Sequence, residues 1–217
     1  MSSHHIIRDK QEPALIIANG EACSLDMLEQ LLEWSPTVVV LDGALERVIS
    51  LGIKVDVWLG DFDHAQSTDY SDCPLKKVHT PDQNLTDLEK AFEYLFAEGY
   101  PAVNVVWASG KRMDHTLNNF HSMVRYGRKL KIVFFDDYST SYLLPPTFEK
   151  WYPAKTPISL MPYGEATNVK SSGLLYDLAH PVLQLGTQTS SSNEALADGI
   201  VKITYESGAL ILMECHD

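Results

Sequence analysis

The chain has 217 residues, 45% of them hydrophobic, and a formal net charge of −12. That length and apolar share suit one large domain or two small ones around a real core. The acidic balance argues against a nucleic-acid backbone as main partner, because such binding rests on Lys and Arg contacts to phosphates, and no stretch approaches the ~18 consecutive apolar residues of a membrane-spanning helix.

In chain order, Met1 to Gln11 is polar and carries no apolar signal region. Met1–Pro13 is expected to be flexible and the compartment to be the cytoplasm. Ala14–Ala18, Thr37–Leu41, Val55–Leu59, Val103–Ala108 and Lys131–Phe135 are short, β-branched, nearly unbroken apolar runs, as strands buried on both faces are. Between them lie helical patterns at Leu25–Trp34, Leu85–Glu98 and His115–Tyr126. In the second, Leu88, Phe92, Leu95 and Phe96 recur on one face, Thr86 and Glu89 make a capping box, and Gly99 is a natural stop. Alternating strands and helices predict an α/β unit over 14–137 with a mainly parallel, Rossmann-like sheet. After about Asp137 the texture changes. Prolines 145, 146, 153, 157 and 162 interrupt the chain, and Thr156–Met161, Val182–Leu185, Ile200–Tyr205 and Ala209–Glu214 read as strands, the last two joined by a hairpin connection at Glu206-Ser207-Gly208. An all-β sandwich or barrel over 138–217 is expected. Cys23, Cys73 and Cys215 stand far apart with no metal-ligand spacing and read as ordinary thiols.

In an open parallel sheet, ligands bind beyond the carboxyl ends of the strands. Those ends carry Asn19-Gly20, Asp42-Gly43, Gly60-Asp61-Phe62-Asp63, the run from Ser109 to His115, and Asp136-Asp137. On extended chain Asp61 and Asp63 share a face at a Cα spacing of about 6.5 Å, so one hard cation can take both, directly or one of them through water, against the plainer reading of a solvated turn. Asp87, at the start of the helix capped by Thr86, is a third candidate for Mg²⁺, although a carboxylate in a first helical turn is also favoured by the helix dipole alone. Arg112, with Asp114 and His115 beside it, suits phosphate oxygens bidentately, against the plainer reading of an exposed loop whose Asp114 caps the next helix. Asp136 and Asp137 read equally well as a solvated turn. The sequence contains no GxxxxGK[ST] loop, no GxGxxG after the first strand and no GxSxG elbow. A nucleotide site must therefore rest on a divalent cation and scattered rim groups.

The order of these motifs resembles the thiamine pyrophosphokinase family. Asp42-Gly43 is similar to its early Asp-Gly-Gly element and Gly60-Asp61-Phe62-Asp63 to its Gly-Asp-Phe-Asp-Ser motif. Gln83-Asn84-Leu85-Thr86-Asp87 resembles Lys/Gln-Asp-x-Thr-Asp, and the run from Gly110 to His115 resembles Gly-Gly-Arg-x-Asp-His. Gly173-Leu174-Leu175-Tyr176 followed by Ser190-Ser191-Ser192-Asn193-Glu194 resembles the late Gly-Leu-x-Trp and Ser-x-Ser-Asn-Glu pair. The resemblance spans roughly residues 14 to 217 and implies transfer of a pyrophosphoryl group from ATP to the hydroxyl of thiamine. It implies Mg²⁺ on Asp61, Asp63 and Asp87. It places Gln83, Asn84, Thr86, Lys111, Arg112, Asp114 and His115, with Asn19, Gly20, Asp42 and Gly43, along the nucleotide and pyrophosphate. It also implies Ser190, Ser192 and Asn193 on the thiamine pyrimidine, Tyr176 stacked on thiamine, and a homodimer with the site at the subunit interface. The chain departs from the family pattern at Ala44, His64, Asn84, Lys111 and Tyr176. Two other readings stay open at this point, a Mg²⁺-dependent phosphohydrolase or transferase acting on another alcohol, and a thiamine or nucleotide binder without turnover.

Overall fold

A computed structural model describes residues 12–62 and 74–216. Asp63, His64, Cys73 and most of the segment Met1–Pro13 lie outside the described residues. Six parallel strands come first: β1 (Ala14–Ile17), β2 (Val38–Leu41), β3 (Val57–Gly60), β4 (Lys76–His79), β5 (Ala102–Val106) and β6 (Lys131–Asp136). They lie in the order β4-β3-β2-β1-β5-β6, parallel at every step.

The reason for the unbroken apolar runs is visible in the packing. Ala14 and Ile16 of β1 face one cluster with Leu88, Phe92 and Leu95 of helix α3 (Asp87–Ala97) and Met123 of helix α4 (Met113–Tyr126). Leu15 and Ile17 face the opposite cluster, with Leu28 of helix α1 (Leu25–Leu32) and Leu45 and Val48 of helix α2 (Leu45–Ser50). Alternate residues of a strand point to opposite faces, so covering both faces demands hydrophobic residues at nearly every position. Phe92 is fully buried, and truncating such a residue to Ala costs about 3–5 kcal/mol. Phe96, expected on the same helical face, is instead exposed, because Ala91 completes the buried stripe on its other side and leaves Phe96 at the edge. The capping box forms as the sequence predicts: Glu89 N–H donates to Thr86 Oγ1 at 3.4 Å, and Thr86 N–H donates to Glu89 Oε2 at 3.1 Å.

The remaining strands are β7 (Ser139–Leu143), β8 (Thr147–Tyr152), β9 (Pro157–Ser172), β10 (Ala179–Gln184), β11 (Ser190–Glu194), β12 (Gly199–Thr204) and β13 (Ser207–Cys215). All of their pairings are antiparallel. The path continues from β6 through β7, β13, β9, β12 and β8, so hydrogen bonding runs unbroken from the α/β half into this strand-rich half. Leu160, Val169, Leu183, Ile203 and Leu212 belong to its own buried cluster. The hairpin expected at Glu206–Gly208 is not one. β12 and β13 both pair with β9 at successive registers, Thr204 opposite Lys170 and Ser207 opposite Thr167. The segment is a bend along one partner, and the 16-residue length of β9 makes that possible. Among the described residues no helix is long and apolar enough to cross a membrane, and Cys23 and Cys215 are free thiols.

Candidate functional site

The carboxyl ends of the parallel strands open into a cleft of about 900 Å³. Asn19 and Gly20 enter it after β1, Asp42 and Gly43 after β2, and Asp61 after β3. Gln83, Thr86 and Asp87 enter from the β4–α3 connection, and Lys111, Arg112, Asp114 and His115 from the β5–α4 loop. The structure thus gathers twelve of the residues singled out from the sequence. Asn84 does not line the cleft: its backbone N–H and side-chain Nδ2 both donate to Asp82 Oδ1, at 2.8 and 2.9 Å, and these bonds hold the Asp82 carboxyl below its usual range. Asp63 lies outside the described residues. Lys90, Asn118 and Asn119 line the cleft without having been expected there.

Close backbone approach shapes the rim. Gly20 N–H donates to the Trp107 carbonyl at 2.7 Å, and a Cβ on Gly20 would stand 2.3 Å from the carbonyl oxygens of Trp107 and Ser109, so only glycine fits this crossing. Arg47 fastens the same turn. Its Nη1 donates to the Gly20 carbonyl at 3.0 Å while its guanidinium lies 4.4 Å from the Trp107 ring centre. Lys111, in the left-handed region at φ 51°, reaches across to donate to the Asn19 carbonyl at 3.1 Å. Ala44 has φ −100°, where a Cβ costs nothing, which explains why its position needs no glycine. Asn119 Nδ2 donates to the Ala108 carbonyl at 2.7 Å and ties α4 to the end of β5. On the other side of the sheet centre Phe62, at φ 61°, packs on Trp58 and His79 with ring centres 4.4 and 5.8 Å away, which fixes the chain next to Asp61.

Ion pairs tie several of the cleft's charges together. Arg112 makes a two-point contact with Asp114, Nε to Oδ1 at 3.1 Å and Nη2 to Oδ2 at 2.5 Å. These bonds hold the Asp114 carboxyl down at about 2 and raise the guanidinium. Asp114 therefore aims Arg112 instead of capping α4, which begins one residue earlier, at Met113. Lys90 Nζ stands 3.2 Å from Asp87 Oδ1, with the lysine side chain buried. Gln83 Nε2 donates to Asp61 Oδ2 at 3.4 Å. Among the described residues no three His, Cys, Asp or Glu side chains gather closely enough to cage a metal alone. The hard oxygens of Asp42, Asp61 and Asp87 along one cleft still fit Mg²⁺, which binds through one or two carboxylates and completes its shell with phosphate oxygens and water.

Asp137 is exposed in the turn that follows β6, as the solvated-turn reading has it, and both Asp136 and Asp137 also clamp neighbouring loops. Ser109 Oγ donates to Asp136 Oδ2 at 3.1 Å, and Ser24 N–H lies 2.9 Å from both Asp137 oxygens, so the end of β6 holds the loops after β1 and β5. Tyr176, Ser190, Ser192 and Asn193 lie in the strand-rich half and none lines the cleft. The Tyr176 ring is exposed, whereas Ser190 and Asn193 are buried.

A polar cleft at the carboxyl edge of a parallel sheet, rimmed by carboxylates and by Lys and Arg, defines a class of protein that takes a small, charged, phosphate-bearing ligand. Residues 28–134 match the thiamin pyrophosphokinase catalytic domain and residues 149–210 the thiamin pyrophosphokinase vitamin B1 binding domain. The chain is 27% identical over 206 residues to thiamin pyrophosphokinase 1 of Caenorhabditis elegans, covering 87% of this chain and 84% of that protein. Its fold is similar to those of the thiamine pyrophosphokinase of Bacillus subtilis (TM-score 0.79, 21% identity, 95% of this chain and 100% of that one) and of yeast (TM-score 0.79, 13% identity, 96% and 88%). The chain belongs to the thiamin pyrophosphokinase family, whose enzymes form thiamine diphosphate from thiamine with ATP as co-substrate.

Proposed function

We propose that this chain is a thiamine diphosphokinase whose α/β half, 14–137, is the Rossmann-like catalytic unit and whose half 138–217 is a β-sandwich that binds thiamine. The thiamine hydroxyl oxygen attacks the β-phosphorus of ATP, the bond from that phosphorus to the α,β-bridging oxygen breaks, and AMP leaves. The hydroxyl proton goes to a carboxylate, Asp87 or Asp63. Such transfers need alignment and charge neutralisation more than covalent help from the protein.

Asp61, Asp63 and Asp87 would hold Mg²⁺, which when bound supplies neutralising charge to the triphosphate. Arg112, aimed by Asp114, meets phosphate oxygens through its fork of N–H donors. Lys111 and Lys90 add positive charge, and Gln83, Thr86 and His115 line the nucleotide's path. Asn19, Gly20, Asp42 and Gly43 bring backbone and small side chains close to it. Tyr176 stacks on thiamine, Ser190 and Ser192 contact its pyrimidine, and Asn193 of the same segment holds the Tyr176 backbone. Those four residues do not line the cleft of their own chain, which supports a homodimer in which the partner's strand-rich half completes each site. We place the enzyme in the cytoplasm.

The observation that carries this reading is that three separately positioned connections bring Asp61, Asp87 and Arg112 to one cleft in a chain matching both domains of the family. The test is AMP release from ATP and Mg²⁺ with and without thiamine, with the product identified by mass. Thiamine-dependent AMP with a diphosphate product supports it. ATP hydrolysis indifferent to thiamine, or thiamine binding without AMP, overturns it in favour of a phosphohydrolase or of a non-catalytic binder.

A further inference from the structure

Asn193 sits on β11 and is 3% exposed. Its Oδ1 accepts from Tyr176 N–H at 3.1 Å and Glu194 N–H at 2.9 Å. Its Nδ2 donates to the Tyr176 carbonyl at 2.8 Å and to Ser190 Oγ at 3.2 Å. A primary amide offers two donors and two acceptor lone pairs, and all four are engaged here. A ligand could gain a hydrogen bond from Asn193 only by breaking one that already exists in a buried place, where an unmade bond costs about 1–3 kcal/mol.

Tyr176 shows the opposite pattern. The residue is 67% exposed, while its backbone N–H and C=O are both held by one side chain. The rest of its loop is fastened as well. Leu175 N–H donates to the Glu194 carbonyl at 2.8 Å, and Leu174 N–H to Asp177 Oδ1 at 3.1 Å. Ser171 Oγ donates to the same Asp177 Oδ1 at 2.9 Å and accepts from Leu178 N–H at 2.7 Å. Gly173 turns the chain into the loop at φ 90°, with a Cβ position only 2.7 Å from the Ile200 carbonyl. An aromatic ring that is solvated yet rooted in a fixed backbone meets a flat ligand with little ordering left to do.

We infer that Asn193 is a positioning residue, which acts on thiamine through Tyr176 and does not touch the substrate itself. This rests on the reading of Tyr176 as the ring that meets thiamine. It reassigns the Ser-x-Ser-Asn-Glu segment: its asparagine holds the loop across from it.

The test is a double-mutant cycle in the full chain, with Asn193→Ala, Tyr176→Ala and the pair, reading the KM for thiamine, the KM for ATP and kcat in the AMP-release assay. Each single change is expected to raise the thiamine KM by about tenfold, a loss of roughly 1.4 kcal/mol, with the ATP KM unchanged. The pair should be no worse than Tyr176→Ala alone. Amide exchange at Tyr176 should quicken in Asn193→Ala while core amides such as that of Phe92 stay protected. If Asn193→Ala does not fold, Asn193→Asp gives the same cycle, since it keeps the Oδ1 acceptor and loses the donors. Multiplying effects in the pair, a parallel rise in the ATP KM, a silent Tyr176→Ala or an unchanged Tyr176 exchange rate would each overturn the assignment. A wild-type chain that forms no thiamine-dependent AMP overturns the functional reading instead, and the exchange rates then decide the positioning role alone.

Discussion

Lys90 and Asp87 are ion-paired within the first turn of α3, Nζ to Oδ1 at 3.2 Å, and they differ in their access to water: the lysine side chain is 6% exposed and the aspartate 35%. Removing one partner of a buried pair strands the other, and the cost depends on which is stranded. Asp87→Ala strands a buried ammonium and is expected to cost about 3 kcal/mol, the low end for such losses because the vacated carboxylate position lets water in. Lys90→Met strands a carboxylate that water already reaches and should cost less than about 1 kcal/mol. The double variant should therefore melt close to wild type and still release no AMP. Thermal melts beside the AMP assay check this. Recovery of both stability and turnover in the double variant would remove Asp87 from the chemistry.

The sequence shows why that pair was half legible. Asp87 stands behind a capping threonine at a strand-rim position and can be read from spacing. Lys90 falls between apolar positions of an amphipathic helix, where lysine ordinarily marks the solvated face. Its burial is a product of the folded cleft wall and of the pair with Asp87, which the helical period does not encode. The same division runs through the fold. β1, β2, β3, β5 and β6 were readable because burial on two faces leaves an unbroken apolar run. β4 was not, because Lys76, Lys77 and His79 are exposed on an edge strand, and β11 was not, because Ser190-Ser191-Ser192 has no strand propensity and is held by β9 and by Asn193. The Asp136 and Asp137 clamps join residues up to 113 positions apart, a relationship that only the folded chain expresses.

Lys111 occupies the left-handed region at φ 51°, a position the family pattern gives to glycine. A non-glycine residue there costs on the order of 1–2 kcal/mol, against one exposed hydrogen bond from Nζ to the Asn19 carbonyl worth about 1 kcal/mol. Lys111→Gly should hold stability level or raise it by up to about 1 kcal/mol, and should raise the KM for ATP severalfold by removing a cation from the cleft. Lys111→Ala keeps the strain and loses the bond, so it should melt lower than Lys111→Gly. The two melting curves, compared at one pH, decide whether the strain is real.

Glu214 sets the acid limit of the strand-rich half. Its Oε1 accepts from Tyr142 OH at 2.8 Å, Lys150 Nζ at 2.6 Å and Tyr152 OH at 2.5 Å, joining β7, β8 and β13. Burial pushes the carboxyl up, but the three donors, led by Lys150, outweigh it and leave it below the ordinary 4.5. The same contact, with burial as the larger cause, drives both tyrosine hydroxyls upward. A carboxyl with a depressed folded-state pKa adds stability that is fully present above its unfolded value and is lost as the pH falls through the folded one. The contribution of Glu214 should thus be intact at neutral pH and be lost in acid, as the pH falls below 4.5 and through the lowered folded-state value. Glu214→Gln should lower the melting temperature at pH 7 and show a shallower loss between there and acid. Parallel melting curves for the two proteins would place the acid sensitivity elsewhere.

Asp61 and Gly60 allow the chemistry of the site to be separated from its shape. Asp61 lies on the cleft wall, so Asp61→Ala should leave the melting temperature within the ordinary range of surface changes, about 0.5 kcal/mol, and reduce AMP release by a hundredfold or more, on the order of 3 kcal/mol of transition-state stabilisation. Gly60 is different in kind. A Cβ there would stand 2.4 Å from the Cβ of buried Asp42, so Gly60→Ala must push the ends of β2 and β3 apart, at about 1–3 kcal/mol. That shift moves Asp42 and Asp61 together, and turnover should fall although no polar group has been removed. Added Mg²⁺ distinguishes the two variants. Displaced carboxylates bind the cation more weakly and are partly rescued by excess metal, whereas a missing Asp61 is not. Equal rescue of both variants would mean that Asp61 does not hold the metal.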